Sequence, residues 1–129
     1  MRFGTKRIGD KPDAIALDGS EVRVLSGLSR GSVAVFSLAP DAVSKAVAHR
    51  TIEEIWYFIA GHGRIWRKLG GAEEITEIGP GVSISLPTGT RFQYRCDGAE
   101  ALVAVAVTMP PWPGAAEAYP VDGIWPPTS

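Results

Sequence analysis

Glycine and proline divide this sequence into many short segments, and the turns that they form restrict the chain to short strands. The 15 glycines and 10 prolines are spread along the chain and are not pooled in a linker. Between them, polar and apolar residues alternate as in half-buried strands, for example from Glu21 to Leu25. Such spacing predicts an all-β sandwich or barrel. We predict an edge strand over residues 2–8, further strands over 21–25, 32–38, 52–60, 64–69, 73–78, 82–86, 91–96 and 101–109, an extended segment over 42–49, and a short helical turn near 115–118.

Length and charge narrow the class of protein. The 129 residues fit a single domain, with a core over about 20–109 and a C-terminal arm over 110–129. The net charge of -1 gives no electrostatic case for nucleic acid or for a membrane surface as a partner. The longest apolar run, Ala101 to Val107, is too short to cross a bilayer, and the N-terminus lacks the apolar core of a signal peptide. The single Cys96 cannot form an internal disulfide, so we expect a cytoplasmic protein.

The C-terminal arm contains too much proline to form a ladder strand. It also carries Trp112, Tyr119 and Trp125, and large aromatic side chains are rarely left in water in number. We therefore predict an extended arm that lies over an apolar surface. That surface belongs either to its own barrel or to a neighbouring subunit.

Two stretches carry the candidate site residues. The first, residues 41–63, brings His49 and then, five residues later, Glu54 at the start of an apolar segment. The second, residues 81–96, contains a Pro-x-Gly turn that leads into a strand without histidine or carboxylate. The first stretch thus supplies the polar side chains of the candidate site, and the second supplies mainly side chains without a polar ligand group.

These two stretches resemble the paired motifs of the cupin superfamily, whose members are small β-barrels of jelly-roll type. The agreeing positions are His49, Glu54 and Gly61 in the first motif and Gly81, Pro87 and Gly89 in the second. The opening glycine of the first motif is replaced by Asp41, a residue type that tolerates the same left-handed turn. The resemblance implies a single cupin-type barrel, also described as a double-stranded β-helix.

The same resemblance bears on metal binding. Cupin metal sites use two histidines and a glutamate from the first motif and one histidine from the second. Here Val47 and Phe92 stand at two of the histidine positions, which leaves only His49 and Glu54. A divalent metal needs at least three protein ligands, so we expect no cofactor. A divalent metal held by this reduced ligand set is the alternative.

The two-residue period of strands predicts which side chains face the barrel interior. If His49, Glu54 and the residue at position 92 point inward, so do their neighbours at even spacing. The predicted lining is Lys45, Val47, His49, Glu54, Trp56, Phe58, Phe92 and Tyr94. A mostly apolar wall with a few polar groups is typical of a small-molecule pocket, so we expect a partly apolar or cyclic ligand.

Several functions are compatible with this lining, and one scaffold hosts many of them. The first is a small-molecule-binding barrel without a metal. The second is a metal-independent isomerase, epimerase or cyclase, with His49 as acid or base tuned by Glu54 and Tyr94 as proton donor. The third is a metal-dependent oxygenase or isomerase. The fourth is a non-catalytic sensing or structural barrel, in which the polar residues only satisfy one another.

The strand from Ile55 to Ile59 is apolar on both faces, which indicates that both faces are covered. Cupin-like barrels are often dimers. We therefore predict a homodimer that buries Tyr57 or the aromatic residues of the arm.

Overall fold

The computed structural model describes residues 3–128, which form eleven strands and one 3-10 turn. The strands lie in two antiparallel sheets with the orders β1-β2-β3-β10-β5-β8 and β11-β4-β9-β6-β7. Their bounds are β1 (Ala14–Ile15), β2 (Glu21–Leu28), β3 (Gly31–Leu38), β4 (Val47–His49), β5 (Glu53–Ala60), β6 (Gly63–Leu69), β7 (Ala72–Ile78), β8 (Ser83–Leu86), β9 (Arg91–Cys96), β10 (Leu102–Met109) and β11 (Ala118–Pro120), with the 3-10 turn at Ala115–Glu117. The predicted all-β barrel is confirmed. None of the helical segments in residues 3–128 is long and apolar enough to span a membrane.

Alternation along β5 positions the core. Glu54, Trp56 and Phe58 point inward and are buried, whereas Ile55 and Tyr57 on the opposite face are about half exposed. The period-2 argument therefore assigned the inward face of this strand correctly.

Aromatic rings fill the centre of the barrel. The Trp56 ring meets Phe36, Phe92 and Tyr94 edge to face, with centroid separations of 5.3, 5.8 and 5.1 Å. Such T-shaped pairs stabilise the fold beyond the area that they bury. The two sheets thus share one hydrophobic core around Trp56.

Two turns show why the motif spacing matters. Asp41 has a φ of 61°, which confirms that it takes the left-handed conformation expected at the opening glycine position. Gly61 has a φ of 71°, and a Cβ there would lie 2.4 Å from the carbonyl oxygen of Ala101. Only glycine fits at this close approach.

At the N-terminal side of the barrel, the predicted edge strand is wrong, and the predicted extended segment is a regular strand only at its end. The predicted edge strand begins at Arg2, which lies outside the described residues, and residues 3–8 have no strand. The extended segment 42–49 is a strand only from Val47, because the backbone ahead of it bonds outside a regular ladder. Ser44 N donates to Tyr94 O, and Lys45 N donates to Asp18 O, both at 2.9 Å.

The arm folds back over the second sheet of its own chain. β11 pairs with β4, so the expectation that the arm forms no ladder strand is wrong for these three residues. Pro120 ends this edge strand, where its missing N–H costs little. Gln93 fixes the arm further on: its Nε2 donates to Trp125 O at 2.8 Å, and its Oε1 accepts from Ile124 N and Trp125 N at 3.0 Å.

Candidate functional site

A pocket lies at the end of the barrel where β4 and β5 face the arm. Its open space is about 360 Å³ including the mouth, but its walls are close together and leave room for about one or two water molecules. The lining consists of Ala16, Leu17, Asp18, Ser20, Phe36, Val47, His49, Glu54, Trp56, Phe92, Trp112, Gly114, Ala115 and Ala118. The wall is mainly apolar and aromatic, with a small polar group at one end.

The polar end is built around His49 and Glu54. His49 Nε2 lies 3.1 Å from Glu54 Oε1, and the two side chains are 11% and 0% exposed. The His49 ring stacks on Phe92 with a centroid separation of 5.7 Å, which fixes its plane. The short contact to Glu54 lacks hydrogen-bond geometry. Both Glu54 oxygens are buried without a hydrogen-bond partner among the described residues, and so is the other ring nitrogen of His49, Nδ1.

A second polar group reaches the pocket from the turn before β2. Asp18 Oδ1 accepts a hydrogen bond from Ser20 N at 2.9 Å, and Ser20 Oγ bonds the hydroxyl of Tyr94. Burial raises the pKa of the Asp18 carboxyl above its ordinary value, against the hydrogen bonds from Ser20. The charge of Glu54 raises this pKa further. Asp18 and Glu54 line the same pocket.

Most of the predicted lining residues meet in this pocket. Val47, His49, Glu54, Trp56 and Phe92 all line it. Phe58 and Tyr94 are buried as predicted, but they lie in the core and do not line the pocket.

Tyr94 differs from its expected chemistry as well as from its expected position. Burial raises the pKa of its phenol well above the ordinary value of 10.0, and its hydroxyl is already bonded to Ser20. These two features make it a structural residue and a poor proton donor to a ligand.

The prediction that Lys45 lines the pocket is wrong, because its side chain is exposed. The alternation inferred from His49 does not extend to this position, since the regular strand begins at Val47. Ser44 is buried in place of Lys45.

Nine of the fourteen lining residues were not found from the sequence, among them Asp18, Ser20 and Trp112. Asp18-Gly19-Ser20 is an ordinary turn sequence, and an aspartate in a turn usually caps its own backbone. Trp112 belongs to the arm, which has no strand periodicity. Only the packing of the turn and the arm against β4 and β5 brings these residues to the pocket.

The arm is fastened beside His49 by Glu117. The Glu117 carboxylate accepts hydrogen bonds from Arg50 N and Thr51 N, each at 3.0 Å, and from the Thr51 hydroxyl. Burial opposes its ionisation, but these hydrogen bonds outweigh that effect and lower the pKa of Glu117. The arm therefore forms one wall of the pocket and is held there by an ionised carboxylate.

The residues present do not fit a divalent metal. Val47 and Phe92 are cross-strand partners at two of the expected ligand positions, and neither side chain can coordinate a metal. No group of three or more His, Cys, Asp and Glu suited to a metal occurs within residues 3–128. His49 and Glu54 alone supply fewer than the three ligands that such a site needs.

Comparison with protein families and solved structures gives one consistent result. A family model described as "Cupin domain" matches residues 34–108. The comparison with curated proteins gave no match.

Three solved structures illustrate the likeness in fold. The chain has a TM-score of 0.63 and 18% identity to a conserved protein with a double-stranded beta-helix domain from Klebsiella pneumoniae, covering 81% of this chain and 85% of that one. The structure of CapF with the inhibitor 3-isopropenyl-tropolone matches with a TM-score of 0.65 and 18% identity, covering 81% of this chain and 32% of that one. A variant of oxalate decarboxylase from B. subtilis matches with a TM-score of 0.68 and 16% identity, covering 81% of this chain and 29% of that one. At these identities the likeness concerns the fold.

Proposed function

Since this chain belongs to the cupin domain family, whose model matches more than half of it, we propose that it is a small-molecule-binding barrel that works without a metal. The observation that carries this proposal is a set of buried polar atoms with no hydrogen-bond partner among the described residues. They are Glu54 Oε1 and Oε2, His49 Nδ1 and Trp56 Nε1, and all three residues line the same pocket. Buried polar groups are normally paired, and a ligand or ordered water supplies the partner when the protein does not.

The shape of the pocket restricts the ligand. The aromatic side chains of Trp56, Phe92 and Trp112 line the pocket, and their chemistry favours a small cyclic or partly apolar molecule. CapF is a fold relative whose crystal structure includes such a molecule, an inhibitor with a tropolone ring. Because the walls leave room for only about one or two water molecules, a cyclic ligand requires the arm wall at Gly114 and Ala115 to move outward.

The metal-free proposal follows from the ligand count. With Val47 and Phe92 in place of two imidazoles, the remaining His49 and Glu54 do not complete a coordination sphere. His49 and Glu54 then act on the ligand directly, by hydrogen bonding and charge.

Metal-independent acid–base catalysis, as in an isomerase, epimerase or cyclase, is the second candidate function. His49 Nδ1 is buried and unpaired, while Nε2 lies against Glu54. This arrangement orients the ring and leaves one nitrogen free to exchange a proton with a ligand. Tyr94 takes no part in this proposal, since it does not line the pocket.

We further propose that the protein is a homodimer formed through the outer face of the first sheet. Ile55, Tyr57 and Ile59 on β5 are about half exposed, and Val107 on the neighbouring β10 is 38% exposed. Exposed apolar side chains that adjoin one another on a sheet are typical of protein interfaces. The arm lies on the other sheet and leaves this face uncovered. A cytoplasmic location stays a prediction from the sequence.

A ligand screen on chelator-treated protein tests the first proposal. Small cyclic and aromatic metabolites are titrated while tryptophan fluorescence and thermal stability are followed. Binding should quench or shift the emission of Trp56, so Trp56→Phe should remove most of the signal. Trp66→Phe is the matched control, because Trp66 Nε1 is bonded to Glu73 and Trp66 does not line the pocket.

A variant with a larger pocket provides a second test in the same screen, namely a change in ligand preference. Phe92→Ala should shift ligand preference toward larger rings, because it removes an aromatic wall. If no compound stabilises the chelated protein, or if binding returns only when metal is added, the metal-free binding function is wrong.

A further inference from the structure

The polar end of the pocket is acidic. Asp18 and Glu54 both line it, and His49 is the basic side chain that faces them; no lysine or arginine of residues 3–128 belongs to the lining. The nearest basic neighbours along the chain, Lys45 and Arg50, have exposed side chains. Two carboxyl groups and one imidazole therefore line this pocket, so acidic side chains outnumber basic ones in the lining.

The Glu54 carboxylate itself indicates a missing partner. Its side chain is fully buried and lines the pocket, and neither oxygen has a hydrogen-bond partner among the described residues. An ionised carboxylate in such surroundings is strongly destabilised unless a donor or a positive charge reaches it. His49 lies close but does not donate a well-formed hydrogen bond to it. The partner that best satisfies this group brings N–H donors and positive charge.

The rest of the wall favours the same chemistry. Four aromatic side chains line the same pocket as the two carboxyl groups: Phe36, Trp56, Phe92 and Trp112. Aromatic faces attract cations, and this attraction strengthens when water is excluded. A ligand carboxylate, in contrast, would be desolvated beside two buried carboxyl groups with no basic lysine or arginine to receive it. A neutral hydroxyl would satisfy one oxygen but would neutralise no charge.

We propose that the ligand of this pocket carries a protonated nitrogen, such as an amine or a cyclic cation, which binds between Glu54 and Asp18 within the aromatic wall. This inference rests on the proposed binding function and specifies the class of ligand. The carboxylates position the charged nitrogen, and the aromatic rings hold the cyclic part.

Three probes with the same ring and different charge test the inference: benzylamine, benzyl alcohol and benzoate. Each is titrated against the chelated full-length protein at neutral pH, and binding is followed by amide chemical shifts and tryptophan fluorescence. We expect benzylamine to bind about tenfold or more tightly than benzyl alcohol, which is about 1.4 kcal/mol, and benzoate to bind more weakly than both.

Two variants of nearly the same shape test whether the carboxyl groups cause the preference for the amine. Glu54→Gln and Asp18→Asn each remove a carboxyl group and keep the shape, so each should weaken benzylamine binding about tenfold and benzyl alcohol binding by much less. Glu53→Gln is the control, because Glu53 lies on the exposed face of the same strand. Equal losses for amine and alcohol in Glu54→Gln would assign the residue to the shape of the pocket only and would overturn the inference.

The probes also separate failure of the inference from failure of the binding function. If benzyl alcohol or benzoate binds as well as benzylamine, the pocket is a binding site but its preference for cations is wrong. If none of the three binds, the same titration is repeated on Phe92→Ala, whose pocket is larger. A preference for the amine in that variant supports the inference, whereas no binding there overturns both the inference and the proposed function.

Discussion

Replacing Glu54 should reveal that this residue is kept for function at the expense of stability. Its carboxylate is fully buried, and both oxygens lack hydrogen-bond partners among the described residues. Glu54→Leu removes these polar atoms and fills a similar volume with apolar carbon. Glu54→Gln removes the charge but keeps two polar atoms in the same place.

The expected changes in the free energy of unfolding follow from the cost of buried, unpaired polar groups. Each such group costs about 1–3 kcal/mol, and the contact with His49 compensates only part of this cost because it lacks hydrogen-bond geometry. Glu54→Leu should therefore raise the free energy of unfolding by about 1–3 kcal/mol, a large share of the 5–15 kcal/mol of a typical domain. Glu54→Gln should change it by less than about 1 kcal/mol, because relief of charge burial offsets the lost contact with His49.

Urea unfolding at one fixed protein concentration measures these differences. A gain of about 2 kcal/mol moves the midpoint up by about 1 M if the slope is unchanged. Glu53→Gln, on the exposed face of β5, should shift the free energy of unfolding by no more than about 0.5 kcal/mol. If Glu54→Gln lost more than about 1 kcal/mol, the carboxylate would belong to a stabilising network and the reasoning would be refuted.

Three further predictions concern metal, assembly and pH. Protein purified without chelators should contain substoichiometric Fe, Mn, Ni, Cu or Zn by elemental analysis, because Val47 and Phe92 replace imidazoles; near-stoichiometric metal that is lost in His49→Ala would contradict this. Light scattering at micromolar concentration should give the mass of a dimer, and Tyr57→Glu should convert it to a monomer because it places charge in the apolar face; a monomeric parent protein would refute the assembly. Since the pKa of Glu117 is lowered on folding, its stabilising contribution is present above its ordinary pKa of 4.5 and is lost as the pH falls below it. Acid unfolding of Glu117→Gln should therefore show a weaker pH dependence in that range, and an unchanged profile would mean that Glu117 does not fasten the arm.

The amino-acid sequence was enough to predict the barrel and part of the lining of its pocket. Regularly spaced glycine and proline turns predicted short strands, and the two-residue period placed Glu54, Trp56 and Phe92 on the inside. These inferences succeeded because they depend on local geometry, since side chains alternate along a strand wherever that strand lies. The same rule failed at Lys45, where the regular strand had not yet begun.

The remaining pocket residues are brought together by contacts that exist only in the folded chain. Asp18 comes from a turn that looks like any other surface turn, and Trp112 comes from a proline-rich arm without periodicity. Both positions depend on contacts between residues far apart in the chain. The pairing of β11 with β4 and the bonds from Arg50 and Thr51 to Glu117 hold the arm, and the bond from Lys45 N to Asp18 O holds the turn. No pattern along the chain encodes such contacts, because they arise from the fit of whole surfaces once the barrel has closed. The acidic character of the pocket, and with it the class of ligand that we propose, follows from these contacts.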